Sequence, residues 1–94
     1  MTPNIPRGLT LQHIQHAVAL SETLNFQSAA IKCKIRQPSL TKSIQRFEQI
    51  IGVQIFERSN HFVQVTPVGI QVIDKCRRVL HGVDNILMMI GDRS

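Results

Sequence analysis

The sequence predicts a mainly α-helical fold: three short helices, a two-stranded hairpin and one long closing helix. Three observations predict it. Apolar residues recur at spacings of three and four along most of the chain, residues that start and stop helices stand between those runs, and strand formers are concentrated between Val53 and Val65. At 94 residues the chain has room for one small core and little for a second domain or a deep substrate cavity.

Residues 1–8 carry Pro3, Pro6 and Gly8 in a polar setting, which predicts a flexible N-terminal arm. From Thr10, a suitable N-cap, Leu11, Ile14, Val18 and Ser21 mark the first helix, ending near Thr23. Asn25 is the next cap. Phe26, Ala29, Ala30 and Cys33 then form a short second helix whose alanines permit close packing, and Lys34, Ile35 and Arg36 make the turn. A third helix opens at Gln37 with Pro38 in its first turn, where N–H groups have no intrahelical partner, and Gly52 stops it as a left-handed residue.

Val53 and Ile55 on one side, and Phe62, Val63 and Val65 on the other, flank Arg58, Ser59, Asn60 and His61, with Asn60 tolerant of positive φ. A hairpin this small must lean on the helices, as a wing does beside a helix-turn-helix. Thr66 and Pro67 open the last helix, which runs to about Ile90 with Gly91 as its stop. Along it Val72, Cys76, Val79, Val83, Ile86 and Ile90 form a heptad seam, beside a second row of Ile73, Leu80 and Leu87. Two apolar rows exceed what a small domain can cover. Part of this surface, drawn from Val72, Cys76, Val79, Leu80, Val83, Ile86, Leu87 and Ile90, is therefore expected to pair two subunits.

The formal net charge of +5 favours a polyanionic partner. Charge balance alone does not separate nucleic acid from an anionic membrane, but its distribution helps. No acidic residue falls between Thr23 and Phe47, whereas Lys32, Lys34, Arg36, Lys42 and Arg46 all do, which predicts a basic patch. No apolar run approaches the roughly 20 residues of a membrane span, and no basic-then-apolar leader opens the chain, so a cytoplasmic protein is expected. Cys33 and Cys76 lie in apolar surroundings without metal-site spacing and read as buried, reduced thiols. His13, His16, His61 and His81 are scattered; His13 and His16 share a helix face but lack a third ligand, and read as surface residues. Without a nucleophile, phosphate loop or metal motif, catalysis is not expected.

On a helical wheel Leu40, Ile44, Phe47 and Ile51 share one arc of the third helix, while Pro38, Lys42, Gln45 and Gln49 centre opposite, flanked by Thr41 and Arg46. An ordinary solvated face mixes Glu with Lys, and here only Glu48 is present, near the far end. Gln can bond adenine bidentately, Lys can reach guanine acceptors, and Thr or Pro can touch a thymine methyl, so the face suits a major groove. Lys42 and Arg46 could equally pair with phosphates.

Phe26, Ala29, Ala30, Gln37-Pro38-Ser39-Leu40-Thr41, Ile44, Glu48, Gly52-Val53, Ile55-Phe56-Glu57-Arg58, Thr66 and Gly69 together resemble the N-terminal DNA-binding domain of bacterial LysR-type transcriptional regulators. The match runs from about Leu9 to Ile90 without a gap. The resemblance implies a winged helix-turn-helix over residues 9–66, with recognition helix 37–50 in the major groove of double-stranded DNA and the wing near the minor groove. It also implies a dimerisation linker helix over residues 67–91, and a homodimer acting on related half-sites, with a tetramer open for the full-length protein. It implies further that the effector-binding domain is absent from this chain: no cofactor is expected here, and a small-molecule effector would bind that missing C-terminal domain.

Carried over by position, Gln37, Pro38, Thr41 and Lys42 correspond to base-reading residues, supported by Ser39, Gln45 and Arg46. Asn25, Gln27 and Ser28 are placed for phosphate bonds, Arg36 could join them on a phosphate, and Arg58 would reach the minor groove with His61 assisting. Arg36 stands where the family usually has a capping Ser, Leu24 where it has Gly, Ala17 where it has an aromatic and Cys33 where it has Leu. A competing reading is a protein-interaction module, in which the long apolar helix docks on a partner and the basic helix is incidental.

Overall fold

The computed structural model describes residues 2–91. Thr10 opens α1 (Leu11–Thr23) with a capping box: its hydroxyl accepts the His13 N–H at 3.3 Å and His13 Nδ1 accepts the Thr10 N–H at 3.1 Å. The helix ends on Leu24 at φ 52, whose N–H donates to the Leu20 carbonyl at 2.7 Å. A leucine in this left-handed conformation costs roughly 1 kcal/mol relative to the glycine that usually stops a helix.

Asn25 Oδ1 accepts the Ser28 N–H at 2.8 Å and starts α2 (Phe26–Cys33), which ends on Lys34 at φ 60. The Ile35 N–H then returns to the Ala30 carbonyl at 3.0 Å, closing the turn where the sequence places it. Arg36 makes no side-chain cap for α3 (Gln37–Ile51), and Pro38 occupies its first turn. Gly52 at φ 75 ends α3 as expected, its N–H on the Glu48 carbonyl at 2.9 Å.

The hairpin is shorter than the strand formers suggest. β1 (Phe56–Arg58) and β2 (Val63–Val65) pair antiparallel, Phe56 opposite Val65 and Arg58 opposite Val63. Arg58 therefore belongs to a strand and not to the turn, and Val53, Ile55 and Phe62 lie outside the ladder. The cause is α3: Glu48 Oε2 accepts the N–H groups of Ile55 at 2.8 Å and Phe56 at 3.1 Å, so this backbone bonds to the helix instead of extending β1. Nor does Asn60 use a positive φ; the turn is closed by Ser59, whose N–H donates to the Phe62 carbonyl and whose hydroxyl accepts from His61 and Phe62.

Thr66 fastens α4 (Pro67–Gly91) to the hairpin. Its hydroxyl accepts the Gly69 N–H at 2.9 Å and donates to the Gln54 carbonyl at 2.6 Å. Gly69 is required here, because a Cβ would lie 2.3 Å from the Ile55 carbonyl oxygen.

The core lies between α1, the inner faces of α2 and α3, the start of β1 and the first half of α4. Leu20, Leu40, Ile44, Ile55 and Phe56 are its largest fully buried side chains, each contributing roughly 1.5–3 kcal/mol by leaving water. Ala17, Ala29 and Ala30 let α1 and α2 approach closely. Leu9 packs against this core while residues 2–8 are irregular and exposed; Met1 of the expected arm lies outside the described residues.

Of the expected pairing surface, Cys76 is in this chain's own core, and Val72 and Leu80 pack against it, because the first half of α4 lies on α1. Val83 is half-buried, and Val79, Ile86, Leu87 and Ile90 remain exposed with Met88 and Met89. Both thiols are free; Cys76 is buried as expected, whereas Cys33 is only half-buried, and burial pushes both above their ordinary range.

Candidate nucleic-acid interface

The inner arc of α3 is anchored by Leu40, Ile44 and Phe47, all buried, so the opposite side must face out. There Gln37, Pro38, Ser39, Lys42, Gln45, Arg46 and Gln49 are exposed, and Thr41 is half-buried with its hydroxyl donating to the Gln37 carbonyl at 3.1 Å. That bond uses the hydroxyl proton, so toward a base Thr41 offers its methyl and an acceptor oxygen.

Clefts flank this face on both sides. On the wing side, Asn25, Gln27, Gln37, Ser59, His61 and Phe62 line one of about 300 Å³, bringing the start of α2, the start of α3 and the wing turn together. Asn25 Oδ1 accepts the Ser28 N–H, and its amide nitrogen is the group that can donate to an anionic ligand. Ser28 is exposed in the same first turn. On the other side, Ser39, Lys42, Ser43 and Arg46 face the start of α1 across a cleft of about 410 Å³.

The charge is less uniform than the sequence suggests. Lys32 is tied to Glu22 at 2.7 Å, and Arg77 reaches the same carboxylate at 3.1 Å, linking α1, α2 and α4. The Lys32 hydrogen bond, followed by that of Arg77, holds the Glu22 carboxyl below its usual range despite some burial. Lys34, Arg36, Lys42 and Arg46 have no carboxylate partner among the described residues, and they carry the free positive charge of the interface.

Arg58 is not free. Its Nη2 sits 3.3 Å from Glu48 Oε1 and its guanidinium lies over the Phe26 ring, 5.0 Å from the centre. Glu48 thus joins α3 to the hairpin through three donors, Ile55 N–H, Phe56 N–H and Arg58. Being the lone carboxylate of α3 was the sequence signal for this role. His61 stands exposed in the wing turn.

Reading His13 and His16 as surface residues needs correction. His13 stacks on Phe47 with planes 7° apart, and His16 Nδ1 is 2.6 Å from the Ser43 hydroxyl, so both rings sit in the α1–α3 junction. Burial, followed by the charge of Arg46, lowers the pKa of His13; burial, followed by His13, lowers that of His16. Among the described residues no cluster of three His, Cys, Asp or Glu could hold a metal, and no helix is long and apolar enough to cross a membrane.

Residues 11–70 match the family model of bacterial regulatory helix-turn-helix proteins of the lysR family. Over 78 residues the chain is 38% identical to the uncharacterized HTH-type transcriptional regulator YnfL of Escherichia coli, covering 83% of this chain and 26% of that protein. The chain thus spans about a quarter of the length of the curated relatives it matches. Among solved structures, a complex of the BenM DNA-binding domain with benA site 1 DNA superposes with a TM-score of 0.84 at 33% identity, covering 89% of this chain and 94% of that one. A complex of the CbnR DNA-binding domain with DNA gives 0.77 at 27% identity, covering 90% and 93%.

Proposed function

The chain belongs to the lysR family of bacterial regulatory helix-turn-helix proteins, and on that premise we propose that it reads double-stranded DNA sequence-specifically for a transcriptional regulator. The observation that carries this reading is the outer face of α3, polar and basic, with Lys42 and Arg46 unpaired and the start of α2 and the wing on its flank. In this reading α3 enters the major groove. Gln37, Pro38, the Thr41 methyl and Lys42 meet base edges, while Ser39, Gln45, Arg46 and Arg36 support them on phosphates. Gln27, Ser28 and the Asn25 amide take the backbone beside the wing-side cleft.

The wing approaches the minor groove through His61 and Arg58. Arg58 reaches it only by exchanging the Glu48 carboxylate for a phosphate or a groove edge. Residues 9–66 are the reading unit and residues 67–91 the pairing helix. The exposed apolar run of Ile86, Leu87, Met88, Met89 and Ile90 favours a second copy of the chain over an unrelated partner, since two half-sites call for two reading heads. We place the protein in the cytoplasm with its DNA, acting without catalysis or a cofactor; a small-molecule effector belongs to a further domain of the kind the family resemblance implies.

Selection of duplexes from a random-sequence pool tests this directly. It should return two related half-sites, and Gln37→Ala should lose about 1–3 kcal/mol of discrimination at one base pair. Binding that stays micromolar and indifferent to sequence at physiological salt would overturn the reading.

A further inference from the structure

The basic side of α3 continues onto α1. Ser39, Lys42, Ser43 and Arg46 form one wall of the 410 Å³ cleft; Thr10, Gln12, His13 and His16 form the other. No acidic residue lines it, and neither cation has a carboxylate partner among the described residues.

His13 is held in one tautomer. Its ring is stacked on Phe47, and its Nδ1 accepts the Thr10 N–H. A nitrogen that accepts a hydrogen bond carries no proton, so the neutral ring has its proton on Nε2 and offers a donor there. Burial, followed by the charge of Arg46, lowers the pKa of this ring. The Ser43 hydroxyl is paired with His16, and the Arg46 guanidinium, the Lys42 ammonium, the Ser39 hydroxyl and the His13 ring are among the groups that line the cleft. This set suits an anion with several acceptor oxygens.

We propose that this cleft seats a backbone phosphate of the DNA flanking the bases read by α3, with Arg46 as the charged contact and His13 as an N–H donor whose tautomer the α1 cap sets. The proposal rests on the DNA-reading function and adds α1 to its surface. Continuity selects DNA over a free anion, because Ser39 and Lys42 belong both to the cleft and to the outer face of α3, so an anion here lies beside a helix in the groove.

The test uses a duplex recovered by selection, carrying single methylphosphonate linkages walked along each strand. In the parent, neutralising one phosphate outside the bases read by α3 should weaken binding roughly tenfold. Arg46→Gln should show a similar loss, a salt slope lower by about one, and no further loss at that linkage. His13→Glu completes the same capping box, which keeps the fold, and sets a carboxylate in the cleft; it should weaken binding more than Arg46→Gln. If Arg46→Gln keeps the parent's slope and linkage profile while Gln37→Ala loses discrimination, the cleft proposal falls and DNA reading stands. If the parent selects no duplex, both fall. A silent linkage scan together with inorganic phosphate shifting the His13 ring resonances would make the cleft a free-anion site and overturn the proposal.

Discussion

Over residues 67–80, α4 is part of the domain: Gly69 rests on the Ile55 carbonyl, Ile73 and Cys76 are buried, Val72 and Leu80 pack beside them, and Arg77 is tied to Glu22. Over residues 86–90 the same helix presents five apolar side chains, each 54–65% exposed, and none of them joins the core. The two halves share one periodic pattern. Apolar periodicity therefore states which side of a helix avoids water, whereas the surface that covers it is decided by what lies across from it. In the first half that is α1. In the second nothing in the described chain serves, and a second copy is the proposed cover. α3 makes the complementary case, since what it leaves uncovered is polar and basic and calls for a partner of opposite charge.

The largest effect is expected at the root of α4. Gly69→Ala puts a Cβ 2.3 Å from the Ile55 carbonyl oxygen, which no flexible side chain can relieve, so the helix must shift off the segment that leads into β1. Overpacking of this kind should cost about 3 kcal/mol, lowering Tm by at least roughly 10 °C in thermal denaturation followed by circular dichroism. A Tm within about 2 °C of the parent would mean that the first half of α4 is not firmly seated, erasing the contrast between the halves.

Ile86→Asp combined with Leu87→Asp addresses the other half. If a second copy covers this run, sedimentation should report a dimer for the parent and a monomer for the variant, and Tm should lose its dependence on protein concentration. Since neither residue touches the core, the folded domain should survive. Unchanged mass would remove the second copy as the cover.

Much of this was legible in the sequence because it depends on neighbours along the chain. The caps at Thr10, Asn25 and Thr66, the absent cap at Arg36, the Gly52 stop and the buried arc of α3 all follow from residue type and spacing. What was not legible depends on distant groups. Glu48 is seven residues from Ile55 and takes its N–H, which shortens β1 and draws Arg58 inward. His13 and His16 acquire partners only when α1 crosses α3. Of the candidate site, Asn25, Gln27 and Gln37 line one cleft and Ser39, Lys42 and Arg46 line another, while the α1 side of the latter had no local signal.

The smallest effect comes from those two histidines, and it separates the packed domain from the distal helix by chemistry instead of by truncation. Both pKa values are lowered from 6.5 in the folded chain, so the unfolded chain binds more protons as pH falls below that value. Their neutral forms therefore contribute stability that is fully present above 6.5 and is lost as pH falls through the depressed folded values. Protonation also removes the Nδ1 acceptor for the Thr10 N–H and sets a cation at the start of α1, where the helix dipole disfavours it. Tm of the parent should fall modestly between about pH 7 and pH 5. His13→Gln, which preserves the capping box, combined with His16→Gln should flatten that dependence. The monomer–dimer equilibrium should not follow, because neither histidine lies on α4; a dimer that dissociates over the same pH range in parallel with Tm would show that the two halves of the helix are coupled through the domain.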